Sequence, residues 1–168
     1  MHKRLTIILL FSAITGCNST ASRDPASPYF EIPLSTKVSL LKPITIPANS
    51  AHILFQGGEI KSAQDTNQYH PFCRFEVNQL SDTSQVIQPN PYSLMRISSD
   101  FDVVSMPDIR LYYTEFFLSS DNDRNVRSLT CGQWSTISDS STYLTIKQIQ
   151  QSVGSYMSIK LPETKTSI

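Results

Sequence analysis

The chain lacks most of what a recognisable catalytic site is made from. Of its 168 residues only 3 are histidine, 1 is tryptophan and 5 are glycine. No H-E-x-x-H pair, G-x-S-x-G elbow, P-loop or dinucleotide fingerprint can be read from it. These absences exclude zinc-protease motifs, nucleophile elbows and glycine-rich phosphate cradles. Charge is scarce as well: 14 basic residues balance 14 acidic ones, and charged residues make up only 17% of the chain. No basic run stands out, which argues against nucleic acid as a partner. There is no internal repeat and no low-complexity tract, and only the first residues contain a long apolar run.

That run is Leu5 to Cys17, LTIILLFSAITGC, preceded by Lys3 and Arg4. It is shorter than the ~20 apolar residues that a spanning helix needs. A basic flank, a short apolar core and small residues at its end make a secretory signal. The tetrad Ile14-Thr15-Gly16-Cys17 resembles the lipobox of bacterial lipoproteins. The resemblance implies cleavage between Gly16 and Cys17, a diacylglycerol on the Cys17 thiol and an acyl chain, such as palmitate, on the new amino end. One acyl chain holds weakly and reversibly, whereas two or three on one residue hold firmly. Asn18 stands after the cysteine instead of Asp, which by that family's sorting rule implies the outer membrane, on its periplasmic face. The alternative is an ordinary signal cut after Ala21, since Ser19-Thr20-Ala21 has a small-x-small pattern.

Without residues 1–16, about 150 residues remain, enough for one domain with a real core. Loss of Lys3 and Arg4 from the 14 basic residues leaves 12 against 14 acidic, a net charge near −2. Lipidation of Cys17 would leave Cys73 and Cys131 as a pair. An exported chain meets an oxidising compartment, where a disulfide is the default. It would close a loop of about 60 residues, worth ~4 kcal/mol in the chain-entropy model. A metal site or a reactive thiol is the alternative, but no C-x-x-C or other ligand spacing accompanies either cysteine.

Residues 17–36 read as a lipidated tether of prolines and small polar residues, although Tyr29-Phe30-Glu31-Ile32 is apolar enough to pack on the domain. A tether of ~15 unpacked residues reaches ~20 Å. Residues 37–162 then alternate short apolar runs with turn residues. Strands are expected at Val38–Leu41, Ile44–Ile46, His52–Gln56, Phe72–Val77, Val86–Ile87, Tyr92–Ile97, Phe101–Val104, Ile109–Leu118, Val126–Cys131 and Tyr156–Leu161. Gly57-Gly58 permits a sharp bend, and Pro89-Asn90-Pro91 reads as a stiff loop. One helix is expected at Ile146–Val153, with Thr145 and Gln148 as a capping box, Leu144 and Ile149 as a hydrophobic staple, and Gly154 at the stop. Residues 163–168 form a tail. No βαβ alternation occurs, so the fold expected is all-β: an antiparallel sandwich or small barrel of about eight strands with one short C-terminal helix.

Candidate chemistry is thin. His52 and His70 are the histidines beyond the signal; either beside a serine would suit a periplasmic hydrolase, while the plainer reading makes them polar strand residues. Asp121, Asp123 and Asn125 have the spacing that opens a calcium loop. Val126 and Gly132 stand where glycine and glutamate belong, so the loop fails as an EF-hand; a looser calcium site or an Asx turn are the remaining readings. Arg74 and Glu76 read as a solvated pair, and Asp100 with Asp102 as two carboxylates without a partner acid. Tyr112, Tyr113, Phe116 and Phe117 form an aromatic stripe that is either core or an anchor for a protein or a glycan. Trp134 reads as packing over the disulfide. Loop Ser119–Asn125 would suit an enzyme inhibitor if it protruded.

The segments Phe55-Gln56-Gly57-Gly58 and Tyr69-x-Pro71-Phe72-Cys73-x-Phe75-Glu76-Val77 resemble stretches of uncharacterised envelope lipoproteins of Gram-negative bacteria, a resemblance that implies no activity. The function expected is binding: an accessory or assembly factor of an envelope complex, held to the membrane through its lipid, with a protein partner and no cofactor or metal.

Overall fold

The computed structural model describes residues 21–106, 108–136, 138 and 143–163. Cys17 and the lipobox lie outside these residues, as do residues 164–168 of the expected tail. Among these residues the chain is all-β with a single helix. In order come β1 (Lys37–Leu40), β2 (Ile44–Ile46), β3 (His52–Gln56), β4 (Glu59–Lys61), β5 (Phe72–Val77), β6 (Gln85–Ile87), β7 (Asn90–Ser105), β8 (Ile109–Ser119), β9 (Val126–Thr136), α1 (Ile146–Val153) and β10 (Met157–Lys160). Eight strands make one sheet in the order β10-β1-β7-β8-β9-β5-β3-β4, and β2 pairs with β6 in a separate ribbon. Every strand pair in both is antiparallel.

The sheet curls into a half-barrel, and α1 shows why it holds that shape. The helix touches β3 and β5 toward one end of the sheet and β10 at the other. Period-2 alternation gives the sheet an inner face toward the helix and an outer face away from it. The inner face carries Val38, Leu40, Ile53, Phe55, Cys73, Phe75, Phe116, Leu129, Cys131, Met157 and Ile159, and Ile149 and Val153 of α1 meet them in one core. Phe55, Phe75 and Phe116 are fully buried, each worth ~1.5–3 kcal/mol of burial. The β2–β6 ribbon adds Ile44, Ile46 and Ile87 to the same core.

The helix forms where its signals predict. The Thr145 amide donates to Gln148 Oε1 at 2.9 Å, and the Gln148 amide donates to Thr145 Oγ1 at 3.3 Å. Leu144 and Ile149, the staple residues, are both buried. Gly154 follows at φ 56°.

Three expectations need correction, and the expected bend at Gly57-Gly58 leads into a strand not foreseen. Tyr92–Ile97 and Phe101–Val104 are parts of one strand of 16 residues. The polar Ser98-Ser99-Asp100 does not break it, because β8 pairs along its length and Ser99 Oγ bonds Thr114 Oγ1 at 3.0 Å. Asn90 and Pro91, expected in a loop, open this strand against β1; proline is tolerated at a strand start. The Gly57-Gly58 bend, at φ 61° and 84°, closes a hairpin onto the unforeseen β4, as two positive-φ residues do in a tight hairpin turn. Strand β9 runs past Cys131 to Thr136 because β8 pairs with it that far; Gly132 lies within it, where a Cβ would run into the Tyr112 carbonyl oxygen.

Part of the segment read as a tether is packed. The Ser22 amide donates to the Tyr29 carbonyl at 2.9 Å and the Glu31 amide to the Ser22 carbonyl at 3.0 Å. Tyr29 meets Tyr143 edge to face, with centroids 6.1 Å apart, and Ile32 packs on the core.

Candidate binding surface

Cys73 and Cys131 stand directly opposite each other on β5 and β9 and are joined by a disulfide, with an S–S distance of 2.10 Å. Both are fully buried on the inner face. The bridge pins the register of the two strands, and that register decides what lies on the outer face. Arg74 stands opposite Thr130, and Glu76 opposite Ser128. On the next strand Glu115 stands opposite Thr130, and Tyr113 opposite Gly132. One row across the outer face therefore reads Leu54, Arg74, Thr130, Glu115, and the next reads His52, Glu76, Ser128, Phe117.

The first row, with His52 and Glu76 of the second, floors an open cleft of about 420 Å³, walled at one side by Ala63, Thr66 and Gln68 of the loop before β5. Glu76, only 14% exposed, pairs with Arg74 along its own strand, and its Oε2 lies 3.8 Å from Arg127 Nη1. The solvated pair expected from sequence is thus a three-residue cluster with a largely covered carboxylate. Asp102 and Glu115 line the opposite side. Burial raises the Tyr113 phenol above its ordinary pKa, with the carboxylates of Asp102, Asp100 and Glu115 adding and Arg74 opposing. The cleft is charge-divided: two guanidinium groups around the Glu76 carboxylate on the β5–β9 side, carboxylates alone on the β7–β8 side. The Ser128 and Thr130 hydroxyls are buried and, among the described residues, have no hydrogen-bond partner, a state that ordinarily costs ~1–3 kcal/mol per group.

The aromatic stripe divides between the faces. Phe116 is fully buried in the core. Tyr113 lines the outer cleft, and Phe117, also on the outer face, lies under the Arg96 guanidinium at 4.0 Å. Tyr112 faces inward, in an aromatic chain that runs from Tyr29 through Tyr143 and Tyr112 to Phe101. Trp134, expected over the disulfide, is on the opposite face from Cys131 by strand alternation; it meets Tyr69 edge to face at 5.4 Å.

His52 and His70 are both exposed, and among the described residues neither imidazole ring makes a hydrogen bond. His52 lines the cleft and His70 does not. In the Asp121–Asn125 loop, the Asn125 amide donates to Asp123 Oδ1 at 3.1 Å. The Asn125 side chain is committed to protein groups, donating to Gln85 Oε1 at 2.8 Å and accepting from the Gln79 amide at 3.0 Å. This is an Asx turn that ties the start of β9 to residues 78–85. Among the described residues, no group of three or more His, Cys, Asp or Glu side chains is placed to hold a metal ion.

Sequence reasoning missed Arg127, Thr130, Glu115 and Gly132 as neighbours of Arg74 and Glu76. The signal was present in the cysteines, since an opposed pair fixes the register from which the rows follow. No protein-family model, curated protein or solved structure matches the chain.

Proposed function

We propose that this chain is an outer-membrane-anchored periplasmic lipoprotein that works by binding, as an accessory or assembly factor of an envelope complex. The observation that carries the binding reading is the outer cleft, where Arg74, Arg127 and Glu76 face Glu115 and Asp102 across the buried Thr130 hydroxyl, which has no hydrogen-bond partner among the described residues. Such a surface suits a polar partner segment that carries charges of both signs and brings hydrogen-bond groups of its own. The lipobox Ile14-Thr15-Gly16-Cys17 and the buried bridge between Cys73 and Cys131 support an exported, anchored protein.

Mass spectrometry of the mature protein tests the anchor: an acylated amino end at Cys17 is expected, and an unmodified end at Ser22 overturns it. Photo-crosslinking from Tyr113 in cells tests the cleft. A discrete captured envelope protein, lost on Arg74→Glu while the native melting temperature is kept, is the expected result. No capture, or capture indifferent to Arg74, overturns the reading.

A further inference from the structure

The ends of the large sheet are guarded and its middle is not. Its terminal strands β4 and β10 are only 3 and 4 residues long, and each ends in lysine. Short length and lysine are common ways of blunting a sheet edge. Strand β7 is different. Its side away from β8 pairs with β1 only through Asn90, Pro91 and Tyr92. Beyond Tyr92 no described strand covers that side as far as Ser105; the non-strand segment 27–34 lies beside Met95–Ser99, separated from it by an open pocket of about 380 Å³. This run, SLMRISSDFDVVS, has no proline and no lysine. It also displays apolar side chains: Met95 is 66% exposed, Phe101 41% and Val103 52%.

We infer that this edge pairs with the same edge of a second copy, antiparallel and centred on Ser99, so that two half-barrels share one continuous sheet. Charge selects the direction and narrows the register. Arg96, Ser98, Asp100 and Asp102 alternate onto the outer face, and Ile97, Ser99 and Phe101 onto the inner. Parallel pairing would set Arg96 against Arg96 and aspartate against aspartate. Antiparallel pairing about Ser99 sets Arg96 opposite Asp102 of the second copy, twice by symmetry, with Ile97 opposite Phe101 and Asp100 opposite Ser98. Directly opposed side chains sit ~4.5–5.5 Å apart at Cβ, within reach of a guanidinium–carboxylate pair. A register shifted one pair toward the strand tip faces Asp100 with its own copy. One shifted toward the base also sets Arg96 opposite an aspartate, Asp100, but leaves Asp102 opposite Leu94, so substitution of Asp102 separates it from pairing about Ser99. A two-fold contact of this kind is self-complementary and closes at two copies. The inference does not depend on the lipid anchor or on what the cleft binds.

The test uses the full-length protein in a Gram-negative host, with single cysteines introduced by Ser99→Cys or Ser93→Cys and treated with a mild oxidant or a short bismaleimide. Ser99→Cys is expected to give a covalent dimer, because residue 99 opposes itself across the two-fold axis. Ser93→Cys, exposed on the same strand but far from its own copy, is expected to give none. In the Ser99→Cys background, Arg96→Asp or Asp102→Arg should each lower the dimer yield about tenfold, as reversal of two opposed charge pairs implies, and the double exchange should restore it. Asp102 is exposed, so Asp102→Arg keeps the test open if Arg96→Asp, which also loses its stacking on Phe117, fails to fold. A folded Ser99→Cys protein that stays monomeric, a double exchange that does not restore dimer, or crosslinking to a different polypeptide overturns the proposal.

Discussion

Gly58 and Gly154 meet backbone to backbone: a Cβ on Gly154 would lie 2.4 Å from the Gly58 Cα. The Gly58 amide donates to the Ser152 carbonyl at 3.0 Å, so the tip of the β3–β4 hairpin docks on the last turn of α1. Two glycines that look in sequence like separate turn residues are the two halves of one contact. Gly154→Ala should therefore destabilise by roughly 2–4 kcal/mol, from positive φ together with overpacking against backbone. Gly57→Ala, at φ 61° with nothing within 4 Å, should cost only ~1–2 kcal/mol. Urea unfolding of both variants checks the contrast; equal losses would refute the docking contact.

The disulfide should be a main source of stability. It links residues 58 apart in sequence, for which loop-closure entropy gives ~4 kcal/mol. Cys73→Ser, or reduction of the native protein, should lower the melting temperature sharply. Identical melting with and without reductant would show that the bridge contributes nothing.

The helix cap is separable from the core. Thr145→Ala removes the acceptor for the Gln148 amide and should cost ~1 kcal/mol. Thr145→Ser, which keeps the hydroxyl, should restore most of that loss in the same thermal assay.

Alkaline pH should find Tyr92. The residue is 3% exposed. Burial pushes its phenol up to about 12, with the Asp123 carboxylate adding and the Asn90 side chain partly offsetting. Its folded pKa is thus raised above the unfolded value of about 10. The associated stability is fully present below pH ~10 and is lost as pH climbs toward ~12, by roughly 2–3 kcal/mol in all. Stability measured against pH should fall in that window for the native protein and fall less for Tyr92→Phe.

What the sequence revealed follows from how local each signal is. The helix from Ile146 to Val153 and its cap were legible because Thr145, Gln148 and Gly154 act within a few residues of each other. The pairing of Cys73 with Cys131 was legible from the oxidising compartment that the apolar start implies. The length of β7 was not, because what carries the chain through Ser98-Ser99-Asp100 is a partner strand whose register no local pattern displays. The same holds for the cleft: Arg74 and Glu76 were visible as a pair, but Arg127, Thr130 and Glu115 join them only once three strands are aligned. The aromatic stripe failed as a single surface for the opposite reason. Strand alternation had already assigned Tyr113 and Phe117 to one face and Tyr112 and Phe116 to the other, and only the neighbouring strands could tell which face was solvent.

The early incorporation of Ser22 into the folded body has a consequence for posture. With Cys17 acylated, no more than roughly 18 Å of extended chain would lie between the Cα atoms of Cys17 and that residue. The module would then ride close to the leaflet with little freedom to tilt, and neighbouring copies would share one height above the lipid. Encounters between them would be lateral, in two dimensions, where even a feeble edge-to-edge affinity is enough to populate pairs.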